Sequence, residues 1–276
     1  MPQRVSECRL CGSSTFATIS EQHGIDQYLE LIDISSNDVT RRWLKCKNCG
    51  LVIHDPQLTA ADTMILYERF RDTSFREETP DQYFDRIMGL PAGQSENHEK
   101  CVWLKSFLRT SDEPSNILDI GCGGGVLLAM FRQHFGTNWS AYGVEPTPSF
   151  AELADRRLGG TVLNSNYTSG LFQGVKFQLI TCSQVLEHVD DPLNFLSQIC
   201  TDMAEDGHLY LETPHIRDFN TLPTDHDRFQ MQHFWYFSEE TLQAFASLAG
   251  LRVVTSDIVS TVRKRNNIAV LLCKNS

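Results

Sequence analysis

From Asn116 onward, short apolar runs alternate with longer segments in which apolar residues recur every three or four positions. The first pattern predicts strands near 117–120, 140–145, 177–182, 207–212, 252–259 and 266–273. The second predicts helices near 126–135, 148–157, 192–204 and 238–249. Strands and helices in turn are the signature of βαβ units around a mainly parallel sheet, an α/β architecture. Residues 59–115 read differently: they are charged and helix-like, with aromatics at Tyr67, Phe70, Phe75, Tyr83, Phe84, Trp103 and Phe107. Core filling on helix faces is the simplest account of those rings. The segments "LPAG" (90–93) and "SDEPS" (111–115) read as breaks, the second marking entry to the large domain. The pattern divides the chain into a small module at 1–58, a helical connector and possible lid at 59–115, and an α/β domain at 116–276.

Composition narrows the class. With 276 residues and 41% apolar content the chain can bury a sizeable core. A formal charge of −11 has the wrong sign for a protein that lives on a phosphate backbone. The first ten residues, "MPQRVSECRL", contain no apolar stretch of the signal-peptide kind, and the longest apolar run is the hexamer Val126 to Phe131. The expectation is a soluble, cytoplasmic protein, monomeric or homodimeric, with no membrane partner. In that compartment nine cysteines are weighed as metal ligands, catalytic groups or buried thiols before disulfides.

Four of them form two C-x-x-C hooks, "ECRLCGS" and "LKCKNCGL", each followed at once by glycine. Cys8, Cys11, Cys46 and Cys49 can close a tetrahedral thiolate shell around Zn²⁺, although 34 residues separate the hooks. A redox pair is the competing reading, and two hooks in one acidic chain favour metal. A closed four-cysteine shell leaves no open position, so the site is expected to be structural, and metal would supply much of the folding energy of so short a segment. Cys101, Cys122, Cys182, Cys200 and Cys273 read as small buried side chains.

The stretch "LDIGCGGG" (118–125) crowds glycines between a predicted strand and a helix. A dinucleotide fingerprint fails because the third glycine position falls on Val126, and a phosphate-cradling G-x-x-x-x-G-K-[ST] loop fails for want of the lysine. What fits is acid-x-G-x-G-x-G, at Asp119, Gly121, Gly123 and Gly125. That spacing resembles motif I of the class I S-adenosylmethionine-dependent methyltransferases. Glycines there let the turn pass close to the methionine part of the cofactor, where the backbone of Cys122 matters more than its thiol, and a nearby carboxylate can accept from the cofactor's ammonium. The next strand, "SAYGVEP", ends at Glu145 and Pro146, and an acid at that point can accept both ribose hydroxyls. The block "FQLITCSQVLEHVDDP" (177–192) resembles motif IV. The resemblance implies that the backbone of Ser183, Val185 and Leu186 flanks the cofactor, that Glu187 and His188 lie near the reacting methyl, and that Asn166 meets the adenine. It also implies a Rossmann-like, seven-stranded mixed sheet with its last strand antiparallel, flanked by helices.

A four-cysteine module ahead of this domain is similar to the sugar C-methyltransferases, which act on nucleotide-linked keto sugars. Their downstream block, close to Y-H-E-H-x-x-Y-F-S, matches "QMQHFWYFS" at His233, Tyr236, Phe237 and Ser238. Gln230, Met231 and Gln232 stand where that family has tyrosine, histidine and glutamate, which removes two proton-relaying groups. With the sequence ending at Ser276, that family's further carboxy-terminal domain is not expected. Methyl transfer in this class is an in-line displacement in which the protein chiefly positions the acceptor. His233 is the first candidate for base or orienter and His188 the second, with Tyr236 as a pocket-lining partner. For each histidine alone a structural role is as good an account.

The passage 213–229 offers His215, Arg217, His226 and Arg228 to an anionic group, against an ordinary set of ion pairs. A second metal site from His215, Asp225 and His226 lacks helical H-x-x-x-H support. "VRKRNN" (262–267) reads as a β-turn. The leading expectation is methyl transfer to a small molecule, a nucleotide-linked sugar or a phosphorylated or carboxylated metabolite. The alternatives are an RNA methyltransferase, opposed by the acidic balance, and a non-catalytic cofactor-binding scaffold whose zinc module recruits a partner. Tyr67 and Tyr83 are expected to form a lid.

Overall fold

The computed structural model describes residues 2–23, 26–35, 39–70, 77–108, 113–223 and 225–275. Phe75, the side chain of Phe70 and part of the 111–115 break lie outside the described residues.

The amino-terminal part forms an antiparallel sheet of β1 (Phe16–Gln22), β2 (Arg41–Cys46) and β3 (Val52–Asp55), with one helical turn, α1 (Gln27–Glu30), capped by Asp26. Three longer helices follow: α2 (Ala60–Phe70), α3 (Pro80–Met88) and α4 (Glu96–Lys105). Local chemistry starts two of them. Thr79 and Gln82 make a reciprocal capping box ahead of Pro80, and the Ser95 hydroxyl accepts from the His98 amide.

The large unit contains β4 (Ser115–Ile120), α5 (Val126–Phe135), β5 (Trp139–Glu145), α6 (Pro148–Leu158), β6 (Val162–Asn164), β7 (Phe177–Ser183), α7 (Pro192–Asp202) and β8 (Met203–Pro214). It ends with the two-residue β9 (Trp235–Tyr236), α8 (Glu239–Leu248), β10 (Leu251–Ser260) and β11 (Asn266–Lys274). Seven strands pair in the order β10-β11-β8-β7-β4-β5-β6. All neighbours from β8 to β6 are parallel, and β11 is antiparallel to both β8 and β10. This is the expected mixed sheet flanked by helices. The strand missing from the sequence-based set is β6, whose three residues "VLN" are too few to show an alternation. Among the described residues, no helix is long and apolar enough to cross a membrane.

One strand leaves this unit: β9 pairs with β3, Val52 opposite Tyr236 and Ile53 opposite Trp235, making the amino-terminal sheet four-stranded. A single apolar cluster runs from Leu51 and Ile53 through Trp235 and Phe237 to Leu211 and Val270. The 230–237 segment is thereby clamped between the two sheets.

Candidate active site

The glycine turn is built by its neighbours. The amides of Gly121 and Cys122 both donate to the Val144 carbonyl, at 2.8 and 3.1 Å, so the end of β4 is tied to the end of β5. The Gly123 amide donates to Glu145 Oε2 at 2.8 Å, and Oε1 of the same carboxylate accepts from the Thr147 amide at 2.9 Å. Gly121 has φ +72°, and a Cβ there would lie 2.5 Å from Cγ2 of Val185. Gly125 is required for a different reason: a Cβ would press on Ala154 and Leu158 of α6, so its bareness serves helix packing. Asp119, behind the turn, is buried and accepts from the Thr181 hydroxyl at 2.7 Å. Burial pushes its pKa up to about 7, against the opposing pull of that hydrogen bond and of Lys100.

Two cavities open on either side of Gly121 and Gln184, residues they share. The larger, about 810 Å³, is lined by Asp119, Cys122, Gly123 and Ser183, with Lys100, Tyr83, Arg86 and Arg263 around its mouth. The smaller, about 340 Å³, is lined by Glu145, Pro146, Asn166, Val185 and His188, with Thr63, Met64 and Tyr67 of α2 on one wall and Gln230 and Gln232 on another. Tyr67 and Tyr83 therefore border different cavities, Tyr67 edge-on to His188 with ring centres 6.0 Å apart. Lys100 carries no local sequence signal. It reaches the site from α4 and donates to Ser183 Oγ at 2.8 Å, with Glu212 Oε2 3.3 Å away. Gln184 was equally hidden. It sits at φ +57° between the cavities, its Oε1 accepting from Arg228 and its Nε2 buried without a hydrogen-bond partner among the described residues.

The two histidines of the sequence analysis come together, ring centres 4.8 Å apart. His188 Nδ1 donates to the Gln232 carbonyl at 2.9 Å and His233 Nδ1 to the Arg228 carbonyl at 2.9 Å. A carbonyl only accepts, so each ring holds its proton on Nδ1. His233 Nε2 then accepts from the Gln230 amide at 2.9 Å. Burial, then the charges of His188 and Arg228, hold the His233 pKa well below the imidazole range. Glu187 beside them is fully buried. Its Oε2 accepts from the Thr213 hydroxyl at 3.1 Å, its Oε1 has no partner among the described residues, and burial pushes its pKa to about 7.

Several expected site residues stand elsewhere. Neither cavity is lined by His233, Glu187, Tyr236, Gly125 or Leu186. His233 and Glu187 form a layer behind His188. Tyr236 is a strand residue whose hydroxyl donates to the Arg228 carbonyl at 3.1 Å, and Leu186 is core. The polar passage 213–229 is also spent internally. Arg228 is buried, donating to Asp218 at 2.7 Å and to the side chain of Asn267, and His215 Nε2 is 3.0 Å from Glu239. His226 lies 2.8 Å from Asp227. Apart from Asp227, which adjoins His226 in the chain, the sequence pattern could not reveal that these partners lie within reach. Among the described residues, the groups close enough to share a metal ion are the four cysteines and Glu187–His188–His233, not His215, Asp225 and His226. The "VRKRNN" segment is the tight connection between β10 and β11, closed by Lys264 and Thr261.

The two hooks meet: Cys8 and Cys49 sulfurs are 3.5 Å apart, and Cys11 and Cys46 sulfurs 3.6 Å. Zn–S bonds of about 2.3 Å in a tetrahedron place sulfurs roughly 3.8 Å apart. All four thiols are free of disulfides. The amides of Gly12 and Gly50, both at positive φ, close the hooks on the Cys8 and Cys46 carbonyls at 2.8 and 3.0 Å.

The profile of a family described as methyltransferase domain matches residues 94–256. The mitochondrial ubiquinone biosynthesis O-methyltransferase of Schizosaccharomyces pombe is 36% identical over 104 residues, 35% of this chain and 37% of that protein. A ubiquinone biosynthesis O-methyltransferase of Coxiella burnetii is 29% identical over 103 residues, 36% of this chain and 43% of its own. The matches thus span about two fifths of these relatives. Among solved structures, magnesium protoporphyrin IX methyltransferase of Synechocystis PCC 6803 with bound S-adenosylhomocysteine superposes with a TM-score of 0.55. It is 15% identical and covers 77% of this chain and all of that one. The 1,6-didemethyltoxoflavin-N1-methyltransferase of Burkholderia thailandensis gives 0.56 at 18% identity, covering 84% and 97%. At such identities these two establish the fold.

Proposed function

Because the chain belongs to the methyltransferase-domain family, whose profile spans more than half of it, we propose that it transfers a methyl group from S-adenosylmethionine to an oxygen of a small molecule. The observation that carries the reading is the joined pair of Gly123 and Glu145: a turn bare of side chains, facing a buried carboxylate on the adjacent strand. A nucleoside fits there chemically. Glu145 keeps acceptor capacity for two ribose hydroxyls, Asn166 and Pro146 border the space next to it, and Gly123 leaves open room where a Cβ would stand. Asp119 and Lys100 flank the larger cavity with opposite charges, suited to the ammonium and carboxylate of an amino acid. When bound, S-adenosylmethionine supplies the activated methyl.

The chain's own residues then position the acceptor. Of the groups named as base or orienter, His188 is the one on a cavity wall, and with its proton on Nδ1 the basic nitrogen of the ring is Nε2. His233 and Glu187 fix that ring from behind. The nucleoside and the acceptor would share the smaller cavity, which is bordered by no Lys or Arg among the described residues and by three glutamine side chains, so an uncharged hydroxyl compound suits it. A nucleotide-linked or phosphorylated acceptor would have to keep its anionic part outside. The names of the curated relatives support oxygen as the atom. The four cysteines, at spacings that suit Zn²⁺, hold the amino-terminal sheet and through β9 the 230–237 wall.

The test is binding and transfer with the full chain. S-adenosylhomocysteine is expected to raise the melting temperature, and labelled methyl to pass from S-adenosylmethionine into a small molecule of a metabolite extract. An unmoved melting curve at saturating S-adenosylhomocysteine would refute the reading.

A further inference from the structure

Glu187, His188 and His233 each bring a donor atom within 4.8 Å of the others, although they come from two separate stretches of chain. Around them polar atoms are left buried and without hydrogen-bond partners among the described residues: Glu187 Oε1, Gln230 Oε1 and Gln232 Nε2. Orphaned polar atoms are uncommon in protein interiors and point to a missing water or ion. Both imidazoles already have the outer contact that metal-ligating histidines need, Nδ1–H donating to a backbone carbonyl, which leaves the ring lone pair on Nε2.

From these contacts we infer that Glu187, His188 and His233 bind a divalent transition-metal ion at the wall of the smaller cavity. Two imidazoles and one carboxylate suit Zn²⁺, Co²⁺, Ni²⁺ or Fe²⁺, whereas Mg²⁺ and Ca²⁺ prefer oxygen ligands throughout. Ligands of a tetrahedral ion stand roughly 3.3 Å apart, so ligand atoms within 4.8 Å of one another must close by up to about 1.5 Å on binding. Gln230 must also rotate. Its Nε2 now donates to His233 Nε2, and a half-turn of the amide withdraws that donor and offers Oε1 instead. Three protein ligands leave a position open. Because His188 borders the cavity while Glu187 and His233 lie behind it, that position faces the space assigned above to the acceptor. An ion there would bind and acidify an acceptor hydroxyl, whose proton would pass to water in the cavity, and His188 would serve as ligand to the ion rather than as base. That consequence rests on the methyltransfer reading; metal binding itself does not.

The test counts metal in the full chain. After dialysis against a weak chelator, Co²⁺ titration with elemental analysis should show two sites. One has the thiolate-to-metal absorption of the cysteine shell, the other only weak ligand-field bands of nitrogen and oxygen ligation. Glu187→Gln and His233→Ala should each abolish the second site and leave the first, with S-adenosylhomocysteine binding as the control for folding. Should wild type bind one equivalent with thiolate character alone, or should both variants keep the second site, the inference fails. Loss of S-adenosylhomocysteine binding with two metals retained would instead overturn the function and leave this site standing.

Discussion

The Gly123 amide rests on Glu145 Oε2 at 2.8 Å, so the turn after β4 and the carboxylate at the end of β5 are one unit. Glu145→Ala removes both the acceptor proposed for the ribose and the anchor of the turn. Hydrogen bonds to a charged group contribute about 1.5–3 kcal/mol each. S-adenosylhomocysteine affinity should therefore fall about 100-fold or more, measured by titration calorimetry, with a smaller loss of thermal stability.

Gly121→Ala would set a methyl 2.5 Å from Val185 Cγ2 at φ +72°. Val is stiff at χ1 and cannot swing away, and the backbone strain alone costs on the order of 1–3 kcal/mol. The expected outcome is a lower melting temperature and at least a tenfold loss of cofactor affinity. The double variant with Val185→Ala should recover part of the clash but not the backbone strain.

Asp119 gives a pH dependence whose sign is fixed. Its folded pKa, about 7, lies above the unfolded value near 3.8. The folded state therefore holds the proton more tightly than the unfolded state. Its contribution to stability is complete below about pH 4 and is lost as pH rises through 7. Binding of the cofactor's ammonium needs the ionised form, so affinity should move the other way and rise between pH 6 and 8. Asp119→Asn should flatten both profiles.

Arg228 is a framework residue in this structure. Arg228→Met would strand the buried Asp218 carboxylate, and breaking a buried pair costs about 3–5 kcal/mol. Chemical denaturation should show that loss. If Arg228 instead gripped an anionic acceptor, stability would hold and only turnover would fall.

Cys46→Ser should open the four-sulfur shell. Because the amino-terminal sheet includes β9 and shares a core with the large sheet, the loss should reach beyond residues 1–58. The melting temperature of the whole chain is expected to drop, and metal analysis to show the cysteine site empty.

Much of this was legible in order along the chain. The periodicities placed α5, α6, α7 and α8 and six of the seven central strands, since burial on one face or two writes a period directly into the sequence. The glycine string, Glu145 and the cysteine hooks were legible because backbone conformation, a strand-end acid and metal ligation each demand particular residue types at fixed spacing. Side-chain partnership was not. Arg228 and His215 look as available as His188 until Asp218, Asn267 and Glu239 are seen beside them. Lys100 joins Ser183 only because α4 packs near the end of β7. The sequence alone determined the sheet, the turn and the kinds of atoms that could do chemistry, because those depend on local geometry and burial pattern. Only the tertiary structure decided that His188 faces the cavity, that Tyr236 is a strand residue and that β9 bridges the two sheets, because contacts between distant segments are set by packing and leave no period in the chain.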